Sequence, residues 1–263
     1  MKILVPVKAA ARLPDPFVSD GSGTVAAQSL RWELSEWDAR ALQLATELCD
    51  TDAQIGGEIV VVTVTVGAEP APDVLQACLA RGGDRALAVC ESEFDPSDPL
   101  AVATVLAAVA AREQPDLILC GAQSSDAANA ATGVALAGLL DLPCVAAVSA
   151  IAHDGGELQV QRELEGGAVE VLRLALPALL TVQGATAATT PTLRAIKQAR
   201  SKPVETLSLN ELDLEGESVQ AAAGARTLRL LEPHRGEGAE MIEGSAATIA
   251  ARILEILGEE LRA

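Results

Sequence analysis

Short apolar runs recur through the first half of this chain, and stretches with apolar residues at helical spacing lie between them. Ile3–Val7, Ile59–Val66, Ala86–Val89 and Asp116–Cys120 read as buried strands. Trp37, Ala41, Leu42, Leu44, Ala45 and Leu48 share one helical face within Glu36–Cys49. Asp73–Arg81 reads as a helix stopped by Gly82-Gly83. Asp98-Pro99 opens another, running to about Arg112, because a carboxylate can cap the first turn and proline suits the first helical position. Strands alternating with helices imply an α/β fold: a mostly parallel sheet with helices flanking it.

The pattern changes after Pro143. Leu158–Arg162 and Val169–Leu174 alternate around Glu165-Gly166-Gly167 and predict a hairpin on or beside the sheet. Ala178–Val182 reads as one more buried strand, followed by a small-residue loop from Gly184 and a short helix over Pro191–Ala199. Leu207–Gly244 is polar and glycine-rich, the composition of an arm lying on another surface. A last helix from Ala246 to about Leu261 places Ile249, Ile253, Ile256 and Leu257 on one side. That stripe packs either on the chain's own domain or on a partner. The expected division is a nucleotide-binding α/β domain over 1–205 and a C-terminal arm with its helix over 206–263.

Of the 263 residues, 37 are acidic and 19 basic, a net charge of -18, which disfavours nucleic acid and anionic membrane surfaces. Hydrophobic residues make up 49% of the chain, enough for a large core and too many for a disordered protein. No apolar run reaches membrane-spanning length, so no membrane insertion is expected, and the start turns polar after Val5, so the cytoplasm is the expected compartment. Cys49, Cys78, Cys90, Cys120 and Cys144 form no CxxC pair and read as free thiols, with no metal site. Aromatic residues are scarce, so a planar ligand would be held by backbone, aliphatic and small polar groups.

No nucleophile–base constellation can be assembled, and no catalytic residue is expected. Residues 117–133 are the most informative stretch: a buried strand ends at Gly121, a polar loop holds Gln123 and Asp126, and Ala130, Ala131, Thr132 and Gly133 lead into a helix. Ligands of α/β sheets bind beyond the carboxyl ends of strands, and a helix N-terminus offers N–H groups to phosphate. No GxGxxG or Walker fingerprint is present, so a phosphate site and an ordinary tightly packed loop both remain open.

Several segments, in order, resemble the β subunit of electron-transfer flavoproteins. These are Met1–Lys8, Gly82-Gly-Asp-Arg-Ala86, Pro115–Gly121 followed by Gln123 and Asp126, Arg162–Gly167, Leu176–Thr181, Thr192–Glu205, and finally Glu232-Pro233 with Met241–Gly244. The resemblance covers nearly the whole chain. It implies an adenine-nucleotide α-hydrolase-like fold with an added hairpin and an extended C-terminal arm. It also implies a heterodimer whose α subunit holds most of the FAD site, accepting electrons from acyl-CoA-type dehydrogenases and passing them to a quinone reductase or another acceptor.

The resemblance further implies a structural AMP in this chain, a second FAD taking its place in electron-bifurcating members. Pro6, Ser35, Asp38, Val66, Gly121, Gln123, Asp126, Thr132 and Gly133 match the nucleotide segments. Ala130-Ala131 stand where the family carries Asn-Gln, and Ser35-Glu36 where it carries Asn-Pro. Backbone N–H donors survive such changes, so AMP stays the expected ligand, with a second FAD or an empty site as alternatives. The loop before Leu193 matches the family's dehydrogenase-recognition loop, and Ala187–Thr190 replace its usual residues. Leu193 would be the hydrophobic anchor, or else pack its short helix on its own sheet. Ile196, Lys197, Arg200 and Lys202 accompany it, the basic residues suiting an acidic partner or merely facing solvent. Arg162 and Glu163 lie either near the flavin domain or in a surface ion pair. Outside the family, the alternative is a stand-alone adenine-nucleotide-binding module of the stress-protein type.

Overall fold

The structure is a computed structural model that describes residues 1–12, 30–51, 58–66, 72–91, 97–154, 157–183, 190–221, 224, 239 and 241–260. The strands are β1 (Lys2–Pro6), β2 (Ala9–Arg12), β3 (Arg31–Leu34), β4 (Glu58–Val66), β5 (Arg85–Glu91), β6 (Leu117–Gly121), β7 (Cys144–Asp154), β8 (Glu157–Glu163), β9 (Val169–Leu174), β10 (Ala178–Val182) and β11 (Val204–Leu207). The helices are α1 (Glu36–Thr51), α2 (Pro72–Ala80), α3 (Pro99–Glu113), α4 (Thr132–Leu140), α5 (Leu193–Ala199), α6 (Gly216–Ala221) and α7 (Ala246–Glu260).

Nine strands form one sheet in the order β11-β5-β4-β1-β6-β10-β7-β8-β9. From β11 to β7 every pairing is parallel, and β8 and β9 continue antiparallel as the expected hairpin. Apolar residues alternate between two cores, one on each face. Ile3, Val5, Leu117, Leu119 and Leu180 pack with α1, α2 and α5 residues such as Leu42, Leu75 and Ala199. Leu4, Ile118, Cys120 and Leu179 pack with Val105, Val109, Leu136 and Ala137 of α3 and α4. That two-sided burial is why the central strands read as continuous apolar runs.

α3 begins as its sequence implies: the Asp98 carboxylate accepts the Ala101 N–H at 2.8 Å, and Pro99 takes the first turn. At the amino-terminal edge of the sheet, Arg85 bonds Glu113 at 3.0 Å and Glu58 and Glu205 at 3.4 Å, while Lys2 reaches Glu113 at 3.3 Å. Burial works against the Glu113 charge, but Arg85 and Lys2 hold its carboxyl below the ordinary value. This network binds the starts of β1, β4, β5 and β11 to the end of α3, on the rim opposite the strand exits.

The structure differs from the sequence reading in several elements, the four-residue β11 among them. β2 and β3 form a separate antiparallel pair that the sequence reading does not include. β7 is a long strand whose register shifts between Val145 and Val148; Ala147 has φ 60, and its N–H is taken by Thr181 Oγ1 at 3.0 Å. Leu207, Leu209, Leu212 and Val219, all within the expected arm, are buried in the α3 core. Their apolar side chains are too widely spaced in sequence to form a run. α7 is different: none of its residues with a described side chain is buried.

Candidate functional site

The sheet changes direction beside β1. β4 and β5 follow on one side, and β6, next after α3, lies on the other. Such a switch point opens a crevice at the carboxyl ends of the two strands. β1 and β6 are paired only at Ile3–Leu117 and Leu4–Ile118, whereas β6 and β10 stay paired to Val182–Gly121. Beyond Leu4 the two exits separate.

Asp38, in the first turn of α1, spans that separation. Its Oδ2 accepts the Lys8 N–H at 2.8 Å and its Oδ1 accepts the Gly121 N–H at 3.1 Å. Ser35, just before α1, is buried and donates its own N–H to the Lys8 carbonyl. Asp38 is 7% exposed. Burial pushes its carboxyl up to about 7, against the pull of the Lys8 and Gly121 N–H groups, the Lys8 charge and the Ser35 hydroxyl.

The loop after β6 is tied to the β1 exit. Lys8 Nζ donates to Asp126 Oδ1 at 2.8 Å, and the Ala11 N–H to Asp126 Oδ2 at 3.3 Å. Partial burial disfavours the Asp126 charge, yet Lys8, Ser124 and Ala11 hold its carboxyl below the ordinary value. The Ser125 hydroxyl donates to Ser35 Oγ and accepts the Glu36 N–H at 3.2 Å. The side chains of Lys8, Ser35, Asp38, Ser125 and Asp126 therefore bind one another or the backbone at this divide.

Ala128 (φ 50) and Ala130 (φ 52) adopt left-handed backbone, which L side chains disfavour by about 1–2 kcal/mol. Ala131 is right-handed, with φ -118 and ψ -27, and offers no side-chain cap to α4. A left-handed residue followed by a right-handed one turns successive N–H groups toward one point, a nest suited to an anion. The first-turn N–H groups of Thr132, Gly133 and Val134 have no intrahelical acceptor and continue that row. Gly133 is required by packing: a Cβ there would lie 2.7 Å from Thr181 Cγ2 and 3.2 Å from Cys120 Cβ. Its absence seats α4 against the ends of β6 and β10. The N–H groups of this turn and first helical turn form a cradle of the kind that suits an anion. Cys120 is buried beneath this contact.

The expected nucleotide residues thus lie at one rim. Pro6 ends β1, Gly121 ends β6, Gln123 and Asp126 occupy the loop, and Ala130, Ala131, Thr132 and Gly133 lead into α4. Val66 ends β4, with only its backbone described. Lys8, which pairs with Asp126, was not singled out from sequence; its position just beyond a buried strand is the one signal it offers.

Leu193 is 80% exposed at the start of α5, capped by Thr192, whose Oγ1 accepts the Ala195 N–H. It does not pack on its own sheet. Ile196 is half-buried against the core, while Arg194, Lys197 and Gln198 join Leu193 and Ser201 around a shallow depression, with Arg200 exposed beside it. Lys202 leaves the expected basic group: its Nζ donates to the Gly83 carbonyl at 2.8 Å. The loop at 184–189 and Glu232-Pro233 lie outside the described residues. Arg162 pairs across the hairpin with Glu170, not with Glu163.

All five cysteines are free thiols, and among the described residues no acidic, histidine or cysteine cluster suits a metal and no helix is long and apolar enough to cross a membrane. The model of the electron transfer flavoprotein domain matches residues 22–212. The chain is 37% identical to the electron transfer flavoprotein subunit beta of Methylophilus methylotrophus, covering 98% of both chains. It is 30% identical to the subunit beta of Bacillus subtilis over 92% of this chain and 91% of that one. It is 34% identical to the mitochondrial subunit beta of Oryza sativa subsp. indica, over 82% and 85%.

Proposed function

The chain belongs to the electron-transfer flavoprotein β-subunit family, and on that premise we propose that it forms a cytoplasmic heterodimer with a flavin-bearing α subunit and holds a structural AMP. In this reading the pair takes electrons from acyl-CoA-type dehydrogenases and hands them to a quinone reductase or another acceptor. Family membership sets aside the stand-alone stress-type module.

FAD, held mainly by the α subunit, supplies the redox chemistry; this chain binds and positions, without catalytic residues of its own. The observation that carries the AMP assignment is the row of N–H groups from Ala130 into α4, set beside the β1–β6 crevice. These groups and the Thr132 hydroxyl take the phosphate. Gly121, Gln123, Asp126 and Ser35 line the approach, Asp38 braces it from behind, and strand-end backbone at Pro6 and Val66 faces the adenine. The lost Asn-Gln amides of the family leave this backbone cradle intact.

The donor dehydrogenase docks at the loop before Leu193. Leu193 is its apolar anchor, since an exposed leucine gains about 1.5–3 kcal/mol on full burial. Ile196 supports the helix from beneath, while Lys197 and Arg200 meet an acidic face. The arm beyond Val219 and α7 dock on the α subunit, which covers the apolar stripe of α7.

Acid release of bound ligand from the co-purified heterodimer, followed by chromatography, tests the proposal. It expects one AMP per heterodimer beside the α subunit's FAD; additional FAD or no nucleotide would reject the AMP assignment.

A further inference from the structure

We infer that Asp38 is a positioning residue: it fixes the gap between the β1 and β6 exits, and so the retention of the nucleotide, through two backbone N–H groups without touching the nucleotide. The inference rests on the mononucleotide reading above and deepens it.

Both carboxylate oxygens are already engaged, one by Lys8 N–H and one by Gly121 N–H. The ladder between β1 and β6 ends at Leu4–Ile118, so Asp38 bridges the strands where their own pairing has stopped. Gly121 is shaped for this contact: a Cβ there would meet Asp38 Oδ1 at 2.3 Å. Lys8, whose N–H Asp38 holds, grips Asp126 through its ammonium, and Asp126 lies in the loop that leads to the N–H cradle. One connected path therefore runs from the Asp38 carboxylate to the groups that take the phosphate.

The bridge depends on charge. A carboxylate accepts from two N–H groups, while the protonated acid turns one oxygen into a donor and loosens one contact. Burial places that change near 7. The groups that face Asp38 are the Lys8 charge at the β1 exit, the Ser35 hydroxyl before α1, and the thiols of Cys120 on β6 and Cys78 on α2. Burial foremost, with the Asp38 charge adding, keeps both thiols neutral: Cys78 is pushed up to about 12 and Cys120 is also raised. Acidification through 7 should then speed nucleotide loss.

The test compares AMP dissociation from the heterodimer for wild type, Asp38→Asn, Gly121→Ala and the double variant at pH values on both sides of 7. Amide hydrogen exchange at Lys8 and Gly121 is followed in the same samples. Asp38→Asn should lose AMP about tenfold faster, as expected for a lost hydrogen bond to a charged group. It should also lack the wild type's acceleration in acid; the phosphate's own titration is common to both proteins and cancels. Gly121→Ala should behave alike, the double variant no worse than the worse single, and both amides should exchange faster together. Unchanged AMP retention with an unchanged pH profile, or additive losses, would overturn the inference. A wild type without AMP would instead reject the nucleotide reading, and the positioning role would then stand or fall on the exchange of the two amides in Asp38→Asn. If Asp38→Asn fails to assemble, Gly121→Ala and the wild-type profile decide: AMP loss indifferent to pH through 7 overturns it.

Discussion

Gly121 and Asp38 are sterically matched. A methyl group on the glycine would sit 2.3 Å from the carboxylate oxygen that accepts its own N–H. The fold thus places a buried acid against backbone at the point where two neighbouring strands part, and the site is built around that exchange of a side chain for a charge.

Gly133 and Gly138 occupy the same helix with opposite surroundings. Gly133→Ala forces a Cβ onto Thr181 and Cys120 and should cost about 1–3 kcal/mol, with loss of bound AMP. Gly138 has nothing within 4 Å, so Gly138→Ala should stabilise by about 0.5–1 kcal/mol through helix propensity. Thermal melts of both heterodimers, with nucleotide content measured, check the pair.

Ala130 is held at φ 52 without the tolerance of glycine or asparagine for that region. Ala130→Gly should raise stability by up to about 1 kcal/mol. Ala130→Asn should gain similarly and slow AMP release, because asparagine brings an amide to the cradle. Melting temperature and AMP off-rate separate the two effects.

Asp38 titrates near 7 in the fold against an ordinary 3.8. The folded state holds the proton more tightly, so its contribution is full below 3.8, declines as pH rises and is gone above 7, about 4 kcal/mol in all. Asp126 and Glu113 run the other way: their depressed values give stability at neutral pH that is lost in acid. Denaturant titrations should therefore show Asp38→Asn gaining on the wild type by about that amount as pH rises across this span. A difference that stays flat would mean that Asp38 does not titrate there.

Leu193→Ala should lower kcat/KM for electron acceptance by about tenfold to a hundredfold, with the melting temperature unchanged, because the side chain is 80% exposed. Lys197→Glu and Arg200→Glu should slow association and reduce its salt dependence. Stopped-flow reduction of the heterodimer by its donor dehydrogenase measures all three.

The parallel sheet was readable because its strands are buried on both faces, as Ile3, Leu4 and Val5 show, and such runs stand out in sequence. Asp98-Pro99 marked the start of α3 through local capping chemistry alone. Two strands were not readable: β11 has only four residues, and the long β7 is interrupted by the left-handed Ala147. Leu209, Leu212 and Val219 looked like an arm because each apolar residue is isolated among polar ones, and only the α3 surface joins them. At the site, Gly121, Asp126 and Gly133 could be picked out by type and position. The contacts among them could not, since Lys8 meets Asp126 across more than a hundred residues. The Arg85 network is hidden for the same reason.

The outward side of α7 carries a cost for any copy that has not met its companion. Ile253, Leu254 and Leu257 stand open to water, with no cover among the described residues. A lone chain would be adhesive, prone to clump or to be held by chaperones, so the two subunits should be made in matched amounts, and surplus copies should be the first to be degraded.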